Sequence, residues 1–254
     1  MGIYDRDYLR DEPAGGFYRG PRAAGWRGGV GSVRMWSITT WLIVINCVVF
    51  VLDLVITAQV GVVDPFGNVG SMTIHPLKQL GEFSVTMAIF HLQLWRLITF
   101  QFLHSGAEHI LFNMIGLYFF GPMIEDYLGS KRYLAFYLLC GVAGPIFYVA
   151  LWAMGFLAQG ASTPLVGASA GIFGVLIAAA QVAPDSTVLV YGILPMRLRT
   201  MAWVLLAIAA YAVFFGGPRS NAGGQAAHLG GAAAGYLLIN NQRWLNVFDF
   251  RRRP

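Results

Sequence analysis

His109, Asn113, Ser169 and His228, with Glu108 beside the first, are polar residues inside long apolar stretches of this 254-residue chain. Hydroxyl and ionisable groups in such places are costly, which marks them as candidates for function. A serine hydroxyl becomes a nucleophile when a neighbouring base takes its proton, and histidine is suited both to accept that proton and to return it to a leaving amine. His109 and Asn113, four residues apart, share one face of a helix and supply N–H donors of the kind that stabilise a developing oxyanion. Ser169 follows the Pro-containing loop Thr163-Pro164-Leu165-Val166 and stands near a helix start, where backbone N–H groups lack intrahelical partners. The chemistry these types support is acyl transfer, with Ser169 and His228 as nucleophile and base. A lone serine within a span more often bonds back to a backbone carbonyl, so this reading requires that the four residues meet.

The elements that would bring them together are membrane helices. Hydrophobic residues make up 57% of the chain and charged residues 11%, with a mean hydropathy of +0.60. A soluble domain carries about 25% charged residues, so an ordinary soluble enzyme is excluded. Apolar stretches of suitable length predict six spans, near 36–56, 106–123, 133–153, 167–183, 200–216 and 225–241. With the N-terminus in the cytoplasm, fourteen of the seventeen Lys and Arg fall on the cytoplasmic side, leaving Lys78, Arg96 and Arg219 outside. That asymmetry favours both termini in the cytoplasm, an even number of spans and a multi-pass protein of the cell (plasma or inner) membrane.

Depth supports a meeting point. His109 lies 16 residues from Glu125, Ser169 lies 15 from Pro184 and His228 lies 15 from Arg243. At about 1.5 Å per residue all three sit roughly 22–24 Å above the cytoplasmic face, in one plane below the outer surface. The pairs Gly167/Gly171 and Gly231/Gly235 have the small-x-x-x-small spacing that lets two helices approach closely. A hydrated cavity open to the outer side would have to supply the water for hydrolysis.

The remaining segments read as follows. Residues 1–35 lack the apolar core and cleavage site of a secretory signal and are expected to form a disordered cytoplasmic tail. Residues 36–242 form the six-span body, and 243–254 a basic cytoplasmic tail whose arginines signal topology and lipid headgroups, with no nucleic-acid partner. The first loop, 57–95, carries an amphipathic stretch at 87–95 and is expected to lie in the outer interface, with Trp95 at headgroup level, Arg96 snorkelling beside it, and His75 and His91 on its surface. Cys47 and Cys140 are expected to be small buried hydrophobes, and neither a metal site nor a cofactor is indicated.

In combination these motifs resemble the rhomboid intramembrane serine proteases, over about residues 36–241. Trp95-Arg96 matches the family's Trp-Arg pair; His104 and the His109-Ile-Leu-Phe-Asn113 run match its second span, whose cytoplasmic end Glu125 and Gly129 resemble. Gly167-Ala168-Ser169 matches the nucleophile motif and Ala227-His228-Leu229-Gly230-Gly231 the base motif. The resemblance implies an all-α, six-transmembrane-helix bundle and a Ser169/His228 dyad without a third carboxylate. It also implies an oxyanion site from His109, Asn113 and the Ser169 amide, and transmembrane proteins as substrates. Supporting roles would fall to His104, Phe173, Gly167, Gly231, Trp95 and Arg96, while Glu125 would tie helix ends together. The sequence departs from the family at Ala170, where glycine is common and the methyl would lie near the substrate carbonyl, and at Phe173, where tyrosine is frequent. By resemblance the fifth span, with Tyr211, Phe214 and Phe215 in its outer half, would move to admit a substrate helix.

Two other classes compete. A catalytically inactive relative that binds or routes membrane clients would share the fold, with Ala170 its only support. A small transporter would explain polar groups at membrane depth, but the chain lacks the inverted internal repeat such folds often show.

Overall fold

The computed structural model describes residues 36–63, 69–190, 192–217 and 220–248; the predicted tail over 1–35 and most of the basic tail lie outside them. Six longer helices carry the chain: α1 (Ile38–Val55), α4 (Ala107–Leu128), α5 (Ser130–Ala153), α6 (Ser169–Val182), α7 (Leu198–Phe215) and α8 (Ala222–Asn240). Short α2 (Pro76–Gly81) and α3 (Arg96–Thr99) lie between α1 and α4. The helices follow the predicted apolar stretches with ends displaced by a few residues. Among the described residues, α1, α5 and α7 are long and apolar enough to cross a membrane. The others fall short because α6 has only 14 residues and because α4 and α8 carry the polar positions singled out above.

The helix ends have identifiable causes. Ser37 caps α1 by accepting from the Thr40 N–H (3.1 Å), and Asn221 caps α8 by accepting from the Gly224 N–H (3.2 Å). Between α4 and α5, Gly129 takes a φ of +79°, a conformation glycine adopts without penalty, so the chain turns within a single residue. The Glu125 carboxylate lies beside this turn and accepts from the Ile38 and Thr39 N–H groups and from the Thr39 and Ser130 hydroxyls, at 2.7–2.9 Å. It ties the starts of α1 and α5 to the end of α4, the helix-end role expected of it.

Helix α6 is the centre of the bundle. Ten of its fourteen residues are buried, and it packs against α4, α5, α7 and α8. Its contact with α8 is built on glycine, but on a different face from the predicted one. A Cβ on Gly231 would stand 2.0 Å from the Ala170 carbonyl oxygen, and one on Gly235 would stand 2.5 Å from the Gly174 backbone. The small-residue pair of α6 facing α8 is therefore Ala170/Gly174. Gly171 points instead at Tyr137 of α5, and Gly167 lies before the helix starts.

The structure departs from a purely helical reading in two places. Strands β1 (Ala58–Val63) and β2 (Val69–Ile74) form an antiparallel hairpin in the first loop, and β3 (Thr187–Val190) with β4 (Leu194–Arg197) forms another between α6 and α7. Both are rich in β-branched or alternating apolar residues around a turn, a local preference that outweighs the helical surroundings. The amphipathic stretch is not one helix: a wide π turn at Thr86–Phe90 ends at His91, and Leu92 has a φ of +55°. Arg96 does not snorkel. It is buried and donates to Gln93 Oε1, Glu82 O and Gln79 O at 2.5–2.7 Å, because these otherwise unpaired loop carbonyls need a donor. Trp95 remains half exposed and donates from Nε1 to Leu80 O (3.1 Å), so both side chains bond to backbone of the first loop. His75 lies against α1, its Nδ1 2.8 Å from Asp53 O, while His91 is exposed. Cys140 is buried, but Cys47 is exposed because it lies off the Thr39, Leu42, Asn46, Asp53 stripe by which α1 packs inward.

Candidate active site

The nucleophile loop is positioned by the first loop. Phe83 and Leu165 exchange two backbone hydrogen bonds (3.0 and 2.7 Å), and the Gly167 N–H donates to Phe100 O (2.9 Å). The chain then turns into α6 through Gly167, whose φ of +127° disfavours any L side chain. A Cβ there would also stand 2.7 Å from His109 Nε2. Gly167 thus lets α4 bring His109 against the start of α6.

Ser169 is the first residue of α6, and His228 comes from the first half of α8. The Ser169 Oγ to His228 Nε2 distance is 2.7 Å, a short hydrogen bond. The imidazole stacks on the Phe173 ring with centroids 4.3 Å apart and planes within 9°. On the opposite side, His228 Nδ1 lies 3.0 Å from Gln225 Oε1.

The donors gather on the other side of Ser169. The first intrahelical bond of α6 runs from the Ile172 N–H to Ala168 O (3.1 Å), so the Ser169 N–H precedes the hydrogen-bonded ladder. His109 Nδ1 accepts from the Ser105 N–H (3.4 Å) and lies 2.9 Å from the Ser105 hydroxyl. Because Nδ1 accepts, the ring proton belongs on Nε2, the atom that faces Gly167. Asn113 is buried with its Nδ2 unpartnered among the described residues. Ser169, His228, His109, Asn113 and Gly167 line one cavity of about 730 Å³, walled also by Phe112 and Leu205. His104, also predicted as supporting, is buried with its ring 5.1 Å from that of His109, packed edge to face. His104 precedes α4, and burial pushes its imidazole down to about 3, so it is a neutral packing partner at ordinary pH.

Ala170 lines the same cavity, and its methyl packs against α5. Ala170 is 1% exposed and its Cβ lies 2.7 Å from where a Cβ on Gly144 of α5 would stand, so the methyl fills a glycine notch between helices. Gln225, Ser105 and the Phe83–Leu165 pair were not singled out from sequence. Gln225 had one available signal, its place one helical turn before His228 on the same face; the other two arise from tertiary contact alone.

Sequence comparisons relate this chain to known proteins. Residues 91–241 match the family model described as a Rhomboid domain. The chain is 31% identical over 163 residues to RHOMBOID-like protein 1 of Arabidopsis thaliana, covering 64% of this chain and 38% of that protein. It is 32% identical over 143 residues to Rhomboid protease GluP of Bacillus subtilis (strain 168), covering 56% and 25%. With Rhomboid-like protease 3 of Toxoplasma gondii it shares 31% identity over 154 residues, covering 60% and 53%. The aligned region therefore spans between a quarter and about half of these relatives' lengths. With a family match across more than half of its length, the chain belongs to the rhomboid family.

Proposed function

We propose that this protein is an intramembrane serine endopeptidase that cuts single-span membrane proteins in or near their transmembrane segment, with Ser169 and His228 as a catalytic dyad. The observation that carries the reading is the 2.7 Å contact between Ser169 Oγ and His228 Nε2 beside the unpartnered Asn113 Nδ2 and the inward-facing His109 Nε2. Two of the relatives above are themselves named as proteases.

In this mechanism Ser169 Oγ attacks the scissile carbonyl carbon while its proton passes to His228 Nε2. The carbonyl oxygen becomes an oxyanion and accepts from the Ser169 N–H, His109 Nε2–H and Asn113 Nδ2–H. His228 then protonates the amide nitrogen, the C–N bond breaks, and the acyl group remains as an ester on Ser169. Water attacks that ester, giving its proton to His228; the ester bond breaks and His228 returns a proton to Ser169. Gly167 allows the donor helix to approach, Phe173 supports the base, and Trp95 and Arg96 hold the loop that pairs with the nucleophile strand. Glu125 has no part in the chemistry.

The membrane setting belongs to the same proposal. Residues 36–242 form a six-helix body in the plasma or inner membrane, with the flanking tails and both termini in the cytoplasm. Helix α6, at 14 residues, is about 21 Å long, shorter than the roughly 30 Å hydrocarbon core. A nucleophile at its outer end is thereby recessed below the surface, where the cavity gives it water. Substrates reach it from the bilayer past α7, whose Leu205 lines the cavity together with Phe112 of α4.

The test uses the purified full-length chain with a single-span model substrate. Ser169→Ala and His228→Ala each abolish cleavage while leaving thermal unfolding unchanged. A serine-directed fluorophosphonate probe labels the parent and not Ser169→Ala. Cleavage by the Ser169→Ala protein overturns the assignment, and a parent that neither cleaves nor labels is a client-binding protein instead.

A further inference from the structure

A serine–histidine pair works only if the imidazole presents a bare nitrogen to the hydroxyl. In three-membered constellations a buried carboxylate secures this by accepting from the other ring nitrogen. Among the described residues no carboxylate is hydrogen-bonded to His228. The acceptor there is Gln225 Oε1, 3.0 Å from Nδ1. An amide oxygen has no proton to give, so Nδ1 must carry the hydrogen and Nε2 must be free toward Ser169, where the 2.7 Å contact is found.

The placement of Gln225 is built into α8. Its N–H donates to Asn221 O (3.0 Å), within the turn that Asn221 caps. One turn further on is His228, whose other face is closed by Phe173 at 4.3 Å. Ring plane and proton position are therefore set by different residues: Phe173 fixes the first and Gln225 the second.

We infer that Gln225 is the positioning residue of this site, holding His228 in the Nδ1–H tautomer that leaves Nε2 to take the Ser169 proton. This rests on the reading of Ser169 and His228 as nucleophile and base. Glutamine, unlike a carboxylate, carries a donor as well as an acceptor, so only one orientation of its amide is productive.

The experiment combines a signature of the ring with kinetics, on the full-length protein in detergent micelles. Nitrogen-15 spectra of histidine-labelled protein, with the His228 signals identified by their loss in His228→Ala, show a protonated Nδ1 and an unprotonated Nε2 in the parent. Gln225→Met, which keeps the bulk and removes the acceptor, shows both tautomers. Its kcat on the model substrate falls at least about tenfold, since positioned proton transfer contributes 10²–10⁴, while KM stays within twofold. Gln225→Glu, an acceptor only, recovers at least half of the parent kcat. An Nε2–H tautomer in the parent, a Gln225→Met kcat within twofold of the parent, or a Gln225→Glu protein as impaired as Gln225→Met overturns the inference. Should Gln225→Met fail to fold, the parent spectrum and Gln225→Glu decide. A parent protein that neither cleaves nor labels at Ser169 overturns the dyad itself, an outcome the spectra keep separate.

Discussion

Replacing Gly231 by alanine tests whether backbone proximity of α6 and α8 is what assembles the dyad. The new Cβ would lie 2.0 Å from Ala170 O, 2.6 Å from Ala170 C and 3.0 Å from Ala170 Cα, all backbone atoms that cannot rotate away. Ordinary carbon contacts begin near 3.4 Å, so the two helices must part by roughly 1.4 Å at this level, in interiors that deform little. Ala170 adjoins Ser169, and Gly231 lies one turn after His228. A separation of that size carries the 2.7 Å Oγ–Nε2 contact out toward 4 Å, beyond hydrogen-bond range. Misplacement of about 1 Å costs on the order of 10² in rate, and overpacking costs about 1–3 kcal/mol in stability. Initial cleavage rates in proteoliposomes, fluorophosphonate labelling rates and thermal unfolding measure these effects, with Gly70→Ala as the control because its Cβ meets nothing within 4 Å. A Gly231→Ala protein that keeps more than a third of the parent rate at an unchanged Tm refutes the reasoning.

Three further outcomes are expected. Asn113→Ala and His109→Ala each lower kcat by about 10²–10³, the usual cost of removing one oxyanion donor, and leave substrate binding nearly unchanged in a direct binding assay. Glu125→Gln loses a charged acceptor of four hydrogen bonds and lowers stability by about 1–3 kcal/mol, read as a lower Tm, while labelling of Ser169 at low temperature persists. His104 has a folded-state value of about 3 against 6.5 for the unfolded chain. The unfolded state therefore binds the extra proton between these values, and the stability tied to keeping this ring neutral, complete above about pH 6.5, declines as pH falls toward 3. His104→Phe flattens that part of the stability–pH curve, which denaturation at several pH values measures.

What could be read beforehand, and what could not, follows the physics of each residue. Hydropathy and length located the long helices because burial in an apolar medium acts on every residue of a segment. The polar exceptions within them identified Ser169, His228, His109 and Asn113, because unpaired polar groups are expensive there. The glycine face of α8 was legible, since Gly231 and Gly235 do meet α6, whereas its partner on α6 was misassigned: spacing alone does not distinguish Gly167/Gly171 from Ala170/Gly174. Arg96 looked like an interfacial cation because composition does not reveal the loop carbonyls that Gln79 and Glu82 turn toward it. Gln225 was invisible for a related reason: a glutamine near a helix start has many ordinary roles until its neighbour's ring is in place. The two hairpins lay in stretches read as connections, where short apolar strands carry little signal against the helices beside them.

The methyl of Ala170 has a consequence for which substitutions this fold can combine. It occupies a notch that α5 leaves open at Gly144, and the volume there admits one methyl between the two positions: a second Cβ would come within 2.7 Å of the first. The residues are thus coupled alleles of a single space. Alanine at 144 collides while 170 is alanine, but with glycine at 170 the nearest of the remaining contacts are the Ala227 carbonyl at 3.0 Å and methyl at 3.3 Å, which ask for shifts of a few tenths of an ångström. The double change Gly144→Ala with Ala170→Gly is therefore tolerated better than Gly144→Ala alone, since it moves the single methyl from α6 to α5.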